Sequence, residues 1–109
     1  MELREPTFLI LVAVAPQPLH GYGIQQAVEQ VSDGRVRLRA GTLYTALDRL
    51  VGDGSLAVDR EEIVNGRLRR YYRLTEAGQA VLTAATERLE ANTAAARRVL
   101  PGDLGLGPA

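Results

Sequence analysis

The chain has no cysteine, no tryptophan and no lysine, and it holds one histidine, one phenylalanine and one methionine among 109 residues. Each scarcity closes off a class of chemistry. Without cysteine there can be no disulfide, thiolate metal site or cysteine nucleophile, a composition that fits a reducing, cytoplasmic setting. The single imidazole, His20, cannot by itself build a His-based zinc site or a Ser-His-Asp triad, and no H-E-x-x-H, P-loop or nucleophile-elbow spacing occurs. An enzyme is not expected, nor is a metal or any other cofactor. The apolar run Phe8 to Ala15 is far shorter than the ~20 residues that span a bilayer, so no membrane partner is expected. Its Ala13-Val14-Ala15 imitates a signal-peptide cleavage site, but Glu2 and Glu5 outnumber Arg4 where such a peptide needs a positive flank. The run reads as a buried first helix, opened by Pro6 and stopped by Pro16 and Pro18.

A chain of this length fits one domain that buries roughly two-thirds of its unfolded surface. All thirteen basic residues are arginine, and they are unevenly placed although the formal net charge is zero. Residues 1 to 34 carry one Arg against four acids, residues 35 to 73 nine Arg against five acids, and the remainder three against four. The basic middle is a modest electrostatic footprint for nucleic acid; a solvated charged hairpin would look similar.

After the proline turn, His20-Gly21-Tyr22-Gly23-Ile24 followed by Ala27, Val28 and Val31 predicts a second helix that ends at Asp33-Gly34. Gly21 and Gly23 each cost roughly 1 kcal/mol in a helix interior, which places them in the first turn or at a close packing contact. His20 reads as a residue near that helix start. Arg35 to Arg39 alternates Arg with Val or Leu, which fits a very short strand or an extended lead-in to the third helix.

Gly41 to Leu50 is the stretch that suggests a function. Leu43, Leu47 and Leu50 form an apolar stripe at helical spacing, and Thr42, Thr45 and Arg49 project from the opposite face with groups that can donate to base edges or phosphates. Tyr44 lies at the edge of the stripe, where core packing and a phosphate hydrogen bond are equally open. The helix stops at Gly52-Asp53-Gly54. Arg39 precedes it.

Leu56 to Ile63 and Leu68 to Leu74 read as strands around Val64-Asn65-Gly66-Arg67. A two-residue Asn-Gly turn would pair Val58 with Arg73 and mix core with solvent residues. A three-residue loop of Val64, Asn65 and Gly66 pairs Val58 with Tyr72 and Leu56 with Leu74, giving one apolar face, and is preferred. That register sets Glu61 opposite Arg69 and leaves Arg67 and Arg70 as the better phosphate candidates. Thr75 is placed to cap a last helix running to Leu100 and stopped by Pro101-Gly102. Leu82, Ala85, Leu89, Asn92, Ala96 and Val99 follow a heptad seam that wants a partner, with Phe8 and Val12 of a second copy as candidates to meet it.

The expected fold is therefore mainly α with a small β-hairpin (α+β), a winged helix-turn-helix plus a C-terminal dimerisation helix. Its parts are residues 1–74 as DNA-binding domain, residues 75–100 as dimerisation helix and residues 101–109 as flexible tail. His20-Gly21-Tyr22, Gly41-Thr42-Leu43-Tyr44 with Ala46-Leu47 and Arg49-Leu50, and Asn65-Gly66-Arg67 with Arg69 through Gly78 together resemble the PadR family of bacterial transcriptional regulators. Thr45 stands where that family often has Pro, and Leu68 interrupts what is commonly an unbroken polar or basic wing. The resemblance implies a homodimer that binds a palindromic double-stranded DNA operator, usually as a repressor. The helix from Gly41 would enter the major groove, and the wing would touch the flanking backbone or minor groove. The DNA-binding set would be Arg39, Thr42, Tyr44, Thr45, Arg49, Arg67, Arg69 and Arg70; the dimerisation set is the seam with Phe8 and Val12. Some short relatives are similar to multidrug-binding regulators, which implies a small apolar or aromatic effector. The rival reading is a winged-helix protein-interaction module that does not read DNA.

Overall fold

The computed structural model describes residues 3–101. Four helices and three strands follow in the order α1 (Glu5–Val14), β1 (Leu19–His20), α2 (Gly21–Val31), α3 (Ala40–Gly52), β2 (Leu56–Val64), β3 (Arg67–Leu74) and α4 (Glu76–Val99). Of the expected tail 101–109, residues 102–109 lie outside the described residues.

Helix α1 is apolar nearly all round, and a helix of that kind belongs in the middle of a core. Thr7, Leu9, Ile10, Leu11, Ala13 and Val14 are buried there. Amphipathic α2 and α3 lay their stripes against it: Ile24 and Val28 from one, Leu43, Ala46, Leu47 and Leu50 from the other. Fully burying a Leu or Ile side chain contributes about 1.5–3 kcal/mol, so this shared cluster is the main stabilising feature.

Backbone conformation sets the corners. Asp33 (φ 54°) and Gly34 (φ 79°) turn the chain between α2 and α3, and the amide of Gly34 donates to the Glu29 carbonyl at 2.8 Å. Between them and α3, residues 35 to 39 form no strand; the extended lead-in is what the structure has. Gln25 Nε2 donates to the Leu38 carbonyl at 2.8 Å and holds it against α2. Gly54 (φ 86°) ends α3, with Ser55 N–H donating back to Leu50 at 2.9 Å.

The sheet has three strands rather than the two of a bare hairpin, in the order β1-β3-β2. Two-residue β1 carries too little pattern to be seen in a sequence; it exists because Leu19 and His20 pair with Tyr72 and Tyr71. The base of the wing has the expected register, with Leu56 opposite Leu74 and Val58 opposite Tyr72. The tip corrects the expected loop. Val64 pairs with Arg67, so the turn is the two-residue Asn65-Gly66, with positive φ at both (52° and 78°) as a type I′ turn requires. The extra residue is absorbed by a bulge between Val58 and Arg60. Glu61 therefore faces Arg70, and Glu62 faces Arg69.

Helix α4 starts on a cap. Thr75 Oγ1 accepts from the Gly78 amide at 2.9 Å and donates to the Ser55 carbonyl at 3.0 Å. Gly78 is needed because a Cβ there would collide with the Ser55 carbonyl oxygen. Only Gly78 and Ala85 of α4 are buried, and Leu82 packs against the core; from Glu87 onward every described residue of the helix is exposed. At 1.5 Å per residue this helix is about 36 Å long, which accounts for the molecule's elongation to 58 × 27 × 22 Å.

Candidate nucleic-acid interface

With Leu43, Ala46, Leu47 and Leu50 buried, the outer side of α3 is set by helical geometry. Gly41, Thr45 and Asp48 lie farthest from the core, and all are exposed. Thr42 and Arg49 border this ridge on one side and Tyr44 on the other, so the expected Thr42, Thr45 and Arg49 are all exposed on one helix. Asp48 was missed. A carboxylate on this ridge repels phosphate and can accept only from a donor such as the cytosine amino group, a signal that was open to sequence reading.

Of the two readings of Tyr44, the structure shows packing. Its hydroxyl sits against Gly21 at the start of α2, where a Cβ would collide with it, yet the residue remains 46 % exposed. Gly21 thus fixes the ring between α2 and α3, on the side of the helix that faces the wing. There a cleft of about 430 Å³ is lined by Tyr22, Tyr44, Asn65, Arg67 and Arg69 among others. Tyr22 is 63 % exposed at its rim and was not among the expected residues.

Ion pairing sorts the arginines. Arg70 Nε donates to Glu61 at 2.9 Å, which raises the Arg70 pKa, and the pair occupies the guanidinium. Arg60 is held by Glu62 at 3.2 Å and Asp59 at 3.3 Å, stacks 3.8 Å over the Tyr71 ring, and its pKa is raised chiefly by the Glu62 hydrogen bond. Arg73 lies 3.8 Å from Asp59. Arg67 and Arg69 form no ion pair among the described residues. This reverses the expected assignment in the wing: the bulge gives Glu61 to Arg70 and leaves Arg69 free. Before α3, Arg35 and Arg37 pair with Glu5 and Glu29 at 3.3 and 3.4 Å, whereas Arg39, at the N-cap of α3, is exposed with no such pair among the described residues. Exposed pairs of this kind contribute little to stability, but they compete with phosphate for the same guanidinium.

His20 also lines this cleft, edge-on to Tyr71 with ring centroids 5.3 Å apart. Its buried Nδ1 has no hydrogen-bond partner among the described residues. Burial lowers the His20 pKa, Arg69 lowers it further, and Glu62 partly offsets both. The ring packs against Tyr71 of β3, and no group of three or more potential metal ligands is present among the described residues.

The chain matches the sequence model of the "Transcriptional regulator PadR-like family" over residues 10–84. It belongs to that family. A PadR-like chain is a transcriptional regulator, not an enzyme, and the matched residues take in His20-Gly21-Tyr22 and the later motifs. It is 42 % identical over 93 residues to Transcriptional regulator Rv3488 of Mycobacterium tuberculosis, covering 85 % of this chain and 80 % of that protein. A PadR family transcription regulator from Clostridium difficile superposes with a TM-score of 0.72 at 22 % identity, covering 90 % of this chain and all of that one. Bacillus subtilis PadR in complex with operator DNA superposes with a TM-score of 0.66 at 22 % identity, over 74 % of this chain and 46 % of that one. These structures share the winged-helix fold with this PadR-like chain. No helix among its described residues is long and apolar enough to cross a membrane.

The expected dimerisation residues fall into two groups. Phe8 and Val12 are half-buried on α1, Leu82 packs on the chain's own core and Ala85 is buried within the monomer. Leu89, Asn92, Ala96 and Val99 are exposed, Val99 to 80 %. Between the groups, two grooves of about 400 and 510 Å³ run beside Phe8 and Leu89.

Proposed function

We propose that this PadR-like regulator binds a palindromic double-stranded DNA operator as a homodimer in the cytoplasm and acts as a repressor. Residues 1–74 read the DNA and residues 75–100 hold the two copies together. The observation that carries the reading is the outer ridge of α3, bare of ion pairs and flanked by Thr42 and Arg49 on one side and by Tyr44 and the free Arg67 and Arg69 on the other. In this reading α3 lies in the major groove, Thr45 and Arg49 meet base edges or phosphates, and Arg39, Arg67 and Arg69 meet backbone. Arg70, committed to Glu61, contributes least of the expected set. The operator-bound Bacillus subtilis relative has the same fold, which supports the assignment without carrying its contacts over.

A second copy is called for by α4. Leu89, Val99 and the grooves beside Phe8 are apolar surface that the monomer leaves open. Two-fold pairing there would set the two α3 helices against half-sites one helical turn, about 34 Å, apart. The same grooves, closed by a partner, would be the place for a small apolar or aromatic effector that releases the DNA; Phe8 is the one large aromatic wall available.

Fluorescence anisotropy tests the reading, using DNA from upstream of the protein's own gene against a scrambled duplex at several salt concentrations. Selective binding that weakens with salt, and about tenfold or more further for Arg49→Ala, is the expected outcome. Equal binding to both duplexes would reduce α3 to an electrostatic surface. Absence of binding at low salt would favour a winged-helix protein-interaction module.

A further inference from the structure

The side of α3 away from the wing carries a second groove, of about 430 Å³, between the start of α1 and α3. Its floor is apolar, built from residues such as Pro6, Ile10 and Leu38. Its polar rim consists of Arg4 from α1 and Thr42, Thr45 and Arg49 from α3, and no carboxylate lines it. Arg4 is the one arginine among residues 1–34, which carry four acids. Its backbone is fixed as the N-cap of α1, with its carbonyl accepting from the Phe8 amide at 3.0 Å. Its side chain is exposed and forms no ion pair among the described residues, unlike that of Arg35, which Glu5 of the same helix holds at 3.3 Å.

We propose that this groove seats the DNA backbone of the strand opposite the wing, with Arg4 and Arg49 holding one phosphodiester between them. The inference rests on the operator-binding reading and adds to it a contact from α1. The chemistry of the groove fits a sugar-phosphate unit better than a free anion. Two guanidinium groups and two hydroxyls can donate to phosphate oxygens, and the apolar floor matches the face of a deoxyribose. Geometry supplies the second strand. A helix in the major groove, ~12 Å wide, has a phosphate backbone on each side. Arg67 and Arg69 of the wing serve one side, and Arg4 is the cation that α1 brings to the other.

The test uses the full chain and the duplex selected as above. Arg4→Gln should bind about five- to tenfold more weakly at low salt, with the slope of log affinity against log salt reduced by about one, as for one lost phosphate contact. The ratio between operator and scrambled duplex should stay the same, because a backbone contact carries no base information. A neutral methylphosphonate placed along each strand in turn should find one position that weakens the wild type and leaves Arg4→Gln unaffected. Wild-type affinity and slope in Arg4→Gln, in a protein that does bind its operator, would overturn the second seat alone. A wild type that binds no DNA would overturn the operator reading and this inference with it.

Discussion

The three-helix unit, the proposed reader, and the far half of α4 are built on opposite terms. In the reader, Ile10, Leu11, Ile24, Leu43 and Leu47 have essentially no exposure, each filling space between three helices. Along α4 beyond Ala85 the apolar residues Leu89 and Val99 stand in solvent, and the helix is anchored over its first part, by the Thr75 cap, the Gly78 approach to Ser55 and the packing of Leu82 and Ala85. The contrast teaches that one part is complete as a monomer and the other is a surface. Stability should therefore follow the first and association the second.

The largest expected effect is on the reader. Leu47→Ala should lower unfolding stability by about 2–5 kcal/mol, the usual cost of a buried Leu cavity, measured by chemical denaturation. A loss below about 1 kcal/mol would mean that the core is not shared as tightly as the packing indicates. Leu89→Asp should act the other way. It should leave the secondary structure intact by circular dichroism and weaken self-association by about tenfold or more in sedimentation, since a carboxylate would be buried at a paired seam. An unchanged oligomeric state would break the comparison, because it would make the exposed half of α4 an ordinary solvated helix.

The smallest effect is a pH dependence at the joint between reader and wing. His20 has a folded pKa below its ordinary value near 6.5, so the unfolded chain binds a proton first as pH falls. Its contribution is fully present above pH ~6.5 and is lost as pH drops through the unfolded pKa toward the lower folded one. Thermal unfolding between pH 7 and 5 should show a decline that is shallower in His20→Gln. An equal decline in both proteins would mean that His20 does not set the dependence.

The wing shows where sequence reading stopped. Its base register was legible because Leu56, Val58, Tyr72 and Leu74 must share a face. One residue was left over, and two places could absorb it: a three-residue loop or a bulge. Local pattern favours neither strongly, and the preference of Asn65-Gly66 for a tight turn decided it, pushing the bulge to Asp59. A single residue of slip at the tip then exchanged the partners of Arg69 and Arg70. Thus the residue types of the interface were readable while the identity of the free arginine was not.

Some features were determined by the sequence alone, because they depend on neighbours within one or two turns. These are the apolar stripes of α2 and α3, the largely apolar α1, the Gly34 and Gly54 helix stops, the Thr75 cap and the register at the base of the hairpin. Others needed the packed chain. The pairing of β1 with β3, the fit of the Tyr44 hydroxyl over Gly21, the approach of Gly78 to Ser55 and the groove that Arg4 and Arg49 both line all bring together residues at least 20 positions apart. Periodicity reports which side of an element is apolar, whereas ion-pair partners and grooves are set by register and by how the elements lie against one another.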